Sequence, residues 1–116
     1  MPLSGRTILQ VIPHLSAGGA ERTTIEVAEA LRAAGAKALV ASVGGRLEGE
    51  LIRAGAELIR IDGLATKNPI HIYSNASVLS KIIAKRSVDL VHARSRAPAW
   101  SALWAARRMK KPFVTT

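Results

Sequence analysis

Apolar residues along the chain follow two alternating rhythms. Five short runs, TILQVI (residues 7–12), ALVAS (38–42), ELIRI (57–61), DLVH (89–92) and FVTT (113–116), are dense in aliphatic side chains. Runs of this length predict β-strands. Between them the apolar positions recur at helical spacing. Thr24, Val27, Ala28 and Leu31 fall on one face of a first helix that carries Glu21 in its opening turn and stops at Gly35. A short second helix has Leu47, Leu51 and Ile52 as its apolar positions and Gly55 as its stop. Asn68 and Pro69 supply a cap and a first turn for a third, whose stripe is Leu79, Ile82 and Ile83. The fourth runs from about Pro98 to Met109, and its Ala99, Ala102, Leu103 and Ala106 suit close packing on a sheet.

Strand and helix alternate throughout, without an internal repeat or a low-complexity linker. That alternation predicts an α/β domain, a doubly wound Rossmann-like parallel sheet with helices on both faces and right-handed crossovers. In the expected strand order 3-2-1-4-5 the direction reverses between the first and fourth strands, where ligand crevices form. Two loops flank that point: PHLSAGGAE (residues 13–21) and ARSRAP (residues 93–98).

A length of 116 residues accommodates one core, and 48% hydrophobic with 22% charged residues is a globular composition. No cysteine is present, which removes disulfides and thiolate chemistry. No run reaches the roughly 20 apolar residues that span a bilayer, and the N-terminal apolar stretch is too brief for a signal peptide, so a cytoplasmic location is the expectation. Charge changes the picture most. Seventeen Lys and Arg stand against eight Asp and Glu, a balance that attracts anions: phosphorylated ligands, acidic lipid surfaces or nucleic acid. With only Tyr73, Trp100, Trp104 and Phe113 as aromatic residues, material for base-stacking platforms is scarce, and nucleic acid is disfavoured.

The candidate chemistry gathers at the switch point. Gly18 and Gly19 sit where the first strand hands over to a helix, and two readings stand side by side. In one, the loop lets an anion approach the amides at the helix start; in the other, the glycines make a tight turn. The segment SAGGAE is neither G-x-G-x-x-G nor a P-loop, and no Lys-Ser/Thr follows it, which disfavours a nucleoside triphosphatase. No acidic pair closes the first strand, which disfavours a phospho-acceptor domain of similar topology. His14 lies at the crevice mouth, while Arg94 and Arg96 flank Ser95 on the opposite loop and suit a phosphate or carboxylate. Solvated side chains remain the alternative for all of them. No metal-ligand cluster is visible, and no catalytic residue is assigned.

The segments ILQVIPHLSAGGAERTTIEVAEALRAAG, GELIRAGAELIRI and DLVHARSRAPAWSALWAARRMKKPFVTT together resemble the N-terminal domain of retaining glycosyltransferases of the GT-B fold, family 4-like, a group that includes bacterial cell-envelope sugar transferases. The resemblance implies that residues 1–116 are an acceptor-side Rossmann-like domain, the incomplete N-terminal half of a GT-B fold. It implies donor-phosphate contact at Gly18 and Gly19, with Glu21 and Arg22 just after the loop, and acceptor or anion contacts from His14, Glu21, Arg22, Arg94, Ser95 and Arg96. The implied reaction moves a sugar from a nucleoside diphosphate sugar, a co-substrate and not a resident cofactor, to a saccharide or lipid-linked acceptor. This chain alone is expected to be inactive, and the edge of its last strand to pair with a second copy as a homodimer. A rival reading makes the chain a noncatalytic basic module on an anionic membrane surface or polyanion, through Lys81, Lys85, Arg86, Arg107, Arg108, Lys110 and Lys111. The two meet in a protein peripheral on the inner face of the membrane.

Overall fold

Every expected strand is present in the computed structural model, which describes residues 4–15, 19–64, 68–94 and 96–115. β1 (Thr7–Val11), β2 (Lys37–Ser42), β3 (Glu57–Arg60), β4 (Leu90–Ala93) and β5 (Phe113–Thr115) alternate with α1 (Gly19–Ala33), α2 (Glu48–Arg53), α3 (Pro69–Lys85) and α4 (Arg96–Arg108). All strand pairs are parallel, in the order β3-β2-β1-β4-β5 that the alternation predicts. The central strand β1 is buried along its whole length, whereas the edge strands β3 and β5 keep exposed residues. A strand covered on both faces has to be apolar on both, which is why TILQVI reads as a nearly continuous run.

Alternate side chains of the central strands feed two cores. Leu9, Val11, Leu39 and Val91 pack against Leu79 and Ile83 of α3 and Ala102, Ala105 and Ala106 of α4. On the opposite face Ile12, Ala38 and Val40 meet Ile25 and Ala28 of α1 and Leu51 of α2.

Three expected details differ. In α1 the stripe is Thr24, Ile25 and Ala28, with Val27 only half-buried. Thr24 tolerates this because its hydroxyl donates to the Ala20 carbonyl inside the helix (2.8 Å). In α2, Ile52 is 59% exposed: a helix of six residues presents one narrow face, taken by Leu51 and, just before the helix, Leu47. α4 begins at Arg96, two residues before the expected start. Pro98 is accepted there because the first-turn amides have no intrahelical partner to lose.

All four helices stop in the same way. Gly35, Gly55, Ser87 and Lys110 take positive φ (86°, 94°, 54° and 57°), and the amide after each returns to the helix. Ala36 donates to Leu31 O (2.9 Å), Ala56 to Leu51 O (3.3 Å), Val88 to Ile83 O (3.0 Å) and Lys111 to Ala106 O (2.8 Å). These are Schellman closures. The two glycines among them are readable in the sequence, but the serine and the lysine are not.

Candidate anion-binding crevice

The end of β1 is fixed by backbone pairing on both sides. Val11 lies in register with Ala93 of β4, and the Arg94 amide extends that ladder to Val11 O (2.8 Å). On the other flank Ile12 donates to Ala41 O (3.0 Å), Val43 to Pro13 O (2.8 Å) and Leu15 to Gly44 O (3.1 Å). The first loop therefore leaves the sheet with Leu15 buried and His14 exposed between its pinned neighbours.

Alternation along the strands places Gln10 and Arg94 on the α1 side of the sheet, since Leu9, Val11, Val91 and Ala93 belong to the core under α3 and α4. Both are buried, Gln10 completely and Arg94 to 7% exposure. Arg94 Nε donates to Gln10 Oε1 (3.0 Å), and Gln10 Nε2 donates to the Thr24 carbonyl of α1 (3.2 Å). A chain of hydrogen bonds thus runs from Arg94, just past the end of β4, through β1 to α1.

The electrostatics of this cluster are lopsided. Burial pushes the Arg94 guanidinium below its ordinary value without removing the charge, and no carboxylate opposes the effect. Among the described residues Arg94 forms no ion pair. His92, two residues back on the same face, is pushed down first by burial and then by the Arg94 charge. A buried cation without an internal counter-charge is costly, and an anionic ligand is the natural way to supply one.

The remaining site candidates are distributed unevenly. Gly19 is the first residue of α1, its φ is not positive, and a Cβ built on it meets nothing within 4 Å. Of the two properties a glycine offers at this place, an unusual dihedral or close approach by another group, Gly19 does not use the first: an ordinary helical residue fits its backbone, and only a ligand would make a side chain there costly. Glu21 is half-buried in the first turn of α1. Arg22 is exposed and forms an ion pair with Glu50 of α2, so the structure gives it a partner within the chain. Arg96 opens α4 instead of lying in the second loop, a correction to the loop's expected length, and its side chain lies outside the described residues. Gly18 and Ser95 also lie outside them. Gln10 was missed by the sequence reading. Its signal is available there: one amide side chain in the middle of a run apolar on both faces must find buried partners.

Other hollows have the wrong place or the wrong charge for this chemistry. A groove of about 610 Å³ between α1 and α2 is lined by Ile25, Glu29, Glu50, Arg53 and Ala54, on the side away from β4 and with carboxylates in its wall. Another, of about 690 Å³, lies at the opposite end of the sheet, where Arg6 is held by Asp89 and Arg86 by Glu57. Among the described residues no group of three or more His, Asp or Glu could hold a metal ion, and no helix is long and apolar enough to cross a membrane.

A parallel five-stranded sheet of this order, with the buried Arg94 at its switch point, is a Rossmann-like α/β domain of the kind found in GT-B glycosyltransferases. The chain belongs to Glycosyltransferase Family 4, whose profile matches residues 17–116. It is similar to a glycosyltransferase from Rickettsia africae, with 45% identity and a TM-score of 0.85 over 96% of this chain and 29% of that one. It is also similar to the glycotransferase of kitacinnamycin, with 15% identity and a TM-score of 0.61 over 96% of this chain and 30% of that one. The chain thus spans less than a third of either transferase. The C-terminal domain of a Pyrococcus furiosus hydrogenase shares the fold alone, at 14% identity and a TM-score of 0.72, over the whole chain and 95% of that domain. No match was found among curated protein sequences.

Proposed function

We propose that this chain is the acceptor-side, N-terminal part of a retaining glycosyltransferase that moves a sugar from a nucleoside diphosphate sugar to a saccharide or lipid-linked acceptor in cell-envelope polysaccharide or lipopolysaccharide synthesis. The buried, carboxylate-free Arg94 at the β1/β4 switch point carries the reading. A diphosphate leaving group develops negative charge as the glycosidic bond breaks, and a preorganised cation near α1 would stabilise it without a metal. Transfer also requires donor and acceptor to be held together, which can lower the barrier by several kcal/mol or more. Family membership supports the reaction class, and the share of the relatives' length that the chain covers supports the proposal that it binds without turning over.

Calorimetric titration of the chain with nucleoside diphosphates and their sugar conjugates tests this. The expected result is saturable binding that Arg94→Gln weakens at least tenfold, with no release of nucleoside diphosphate from the conjugates. Equal binding by the variant would remove Arg94 from the site, and turnover by the wild-type chain would show that it catalyses alone.

A second reading is favoured by the outer surface of α3 and α4. Ile70 (73% exposed), Tyr73, Trp100 and Trp104 stand in water beside Arg107 and Arg108, with Tyr73 and Trp104 in edge contact at 6.4 Å. Neither helix contains a carboxylate. Aromatic side chains with cations and no acids suit an anionic lipid surface, and a transferase with a lipid-linked acceptor would work there. Vesicles rich in phosphatidylglycerol should retain the chain at low salt and release it at high salt; indifference to them at both would sink this reading. The open edge of β5, where Val114 is exposed, is also proposed to pair copies of the chain, which sedimentation at two concentrations would detect.

A further inference from the structure

The residue next to Arg94 could have been a carboxylate, and it is an amide. We infer that Gln10 is a positioning residue for Arg94 that orients the guanidinium while leaving its charge uncompensated, so that the full charge remains available to a phosphate. The inference rests on the assignment of Arg94 proposed above.

The geometry of the amide is over-determined. Arg94 can only donate and the Thr24 carbonyl can only accept, so one orientation of the Gln10 amide satisfies both, with Oε1 toward Nε at 3.0 Å and Nε2 toward the carbonyl at 3.2 Å. Anchoring at Nε fixes the plane of the guanidinium. Its Nη edge bonds to none of the described residues, and none of their buried side-chain nitrogens lacks a partner, so that edge reaches solvent. The same amide ties the guanidinium to the second turn of α1, the helix whose N-terminal end faces the first loop. Glutamate at this position would hold Arg94 as firmly, through a charge-assisted bond, but would neutralise it inside a site of low dielectric. A buried neutral acceptor gives the same orientation without that loss. On the β4 side burial, and after it the Arg94 charge, push His92 away from its charged form.

The test compares the chain with Gln10→Glu and Gln10→Met, using inorganic pyrophosphate as the probe. Three quantities are read: thermal midpoint, exchange protection of the Arg94 Nε–H by NMR, and pyrophosphate affinity. Gln10→Glu should keep the protected Nε–H while binding pyrophosphate at least tenfold more weakly, with the midpoint reporting separately the loss of the bond to the Thr24 carbonyl, which a carboxylate cannot make. Gln10→Met, of similar shape but without the acceptor, should lose the protection and also bind more weakly. Wild-type affinity in Gln10→Glu would overturn the charge-sparing role, and unchanged Nε–H protection in Gln10→Met would overturn the positioning. Failure of the wild-type chain to bind pyrophosphate would instead overturn the phosphate reading, and with it the purpose assigned to the amide, while the Nε–H signal reports the positioning separately.

Discussion

The two helical layers that sandwich the sheet solve the same packing problem and present opposite surfaces. α1 and α2 carry Glu21, Glu26, Glu29, Glu48 and Glu50, five of the eight acidic residues, and pair two of them with Arg22 and Arg60. α3 and α4 carry none, and expose aromatic rings and arginines instead. Their interiors also differ in kind. The first layer fills its space with Ile25, Leu47 and Leu51, while in the second alanines at 102, 105 and 106 let α4 approach closely and the Ser101 hydroxyl donates to Ile72 O across the α3/α4 seam (2.7 Å). Burial explains the interiors. It does not require a surface free of carboxylates, and that asymmetry is the ground for the lipid-facing reading proposed above.

The largest effects should show that the layers are equally structural. Leu79→Ala under α3 and Ile25→Ala under α1 each remove a buried aliphatic side chain, and each should lower unfolding free energy by about 2–5 kcal/mol in a denaturant titration. A loss below about 1 kcal/mol at Leu79 alone would make the second layer a loosely attached cover, and the comparison would have to be redrawn.

The next test separates the surfaces. Arg107→Glu with Arg108→Glu, and Arg22→Glu with Arg53→Glu, change net charge by the same amount on opposite layers. If α3 and α4 meet the membrane, the first pair should reduce binding to anionic vesicles by about tenfold or more, at roughly 1 kcal/mol per surface cation, and the second far less. Equal losses would mean that net charge alone draws the chain to lipid. Trp100→Ala should add to the first loss without altering its salt dependence.

Proton titration divides the molecule on a smaller scale. His92 has its folded value pushed below the ordinary 6.5, so the unfolded chain takes up the proton first. Its contribution is complete above about pH 6.5 and is lost progressively as pH falls from there. Glu48 and Glu57 are held below the ordinary 4.5 by hydrogen bonds from Arg60 and Arg86, so their contributions persist to lower pH and fade only below about 4.5. Thermal midpoints across pH should therefore fall in two steps, and His92→Gln should flatten the upper one. A single acid step unaffected by that substitution would show that His92 carries no such penalty.

What the sequence disclosed follows from which forces are local. Strand order was readable because alternating period-2 and helical segments leave few topologies, and because Asn68-Pro69 is a cap written in adjacent residues: the Asn68 side chain accepts from the Ile70 amide at 2.9 Å. The partnership of Gln10 and Arg94 spans 84 positions and exists only because β4 lies beside β1, so neither the burial of the arginine nor the identity of its partner could be read from local pattern. At Gly19, where a glycine allows either an unusual dihedral or close approach by another group, the backbone is simply helical, which removes the first and leaves the second to a ligand. The resemblance alone assigns Arg22 to the site, and the ion pair that helical periodicity gives it with Glu50 of α2 is likewise invisible to local pattern.

Helix closure yields the last and smallest contrast. α1 and α2 stop at glycines, which adopt positive φ without a Cβ penalty; α3 and α4 stop at Ser87 and Lys110, which do pay one. The left-handed conformation costs a residue with a side chain roughly 1–2 kcal/mol, while glycine forfeits about 0.5–1 kcal/mol in unfolded-chain entropy, so the difference favours glycine by up to about 1.5 kcal/mol. Lys110→Gly and Ser87→Gly should each raise stability by that amount. Gly35→Ala and Gly55→Ala should each lower it, more so because a Cβ at Gly35 comes within 3.1 Å of Ser4 Oγ and one at Gly55 within 3.1 Å of the Arg32 side chain. For Lys110→Gly the prediction carries a second reading, since the lysine also belongs to the cationic face: a variant that is more stable yet binds anionic vesicles more weakly would indicate that the second layer keeps a strained lysine for its surface charge. If stability rises and vesicle binding is untouched, Lys110 lies outside the lipid-facing patch, and the contrast between the layers narrows to Arg107, Arg108 and the aromatic residues beside them.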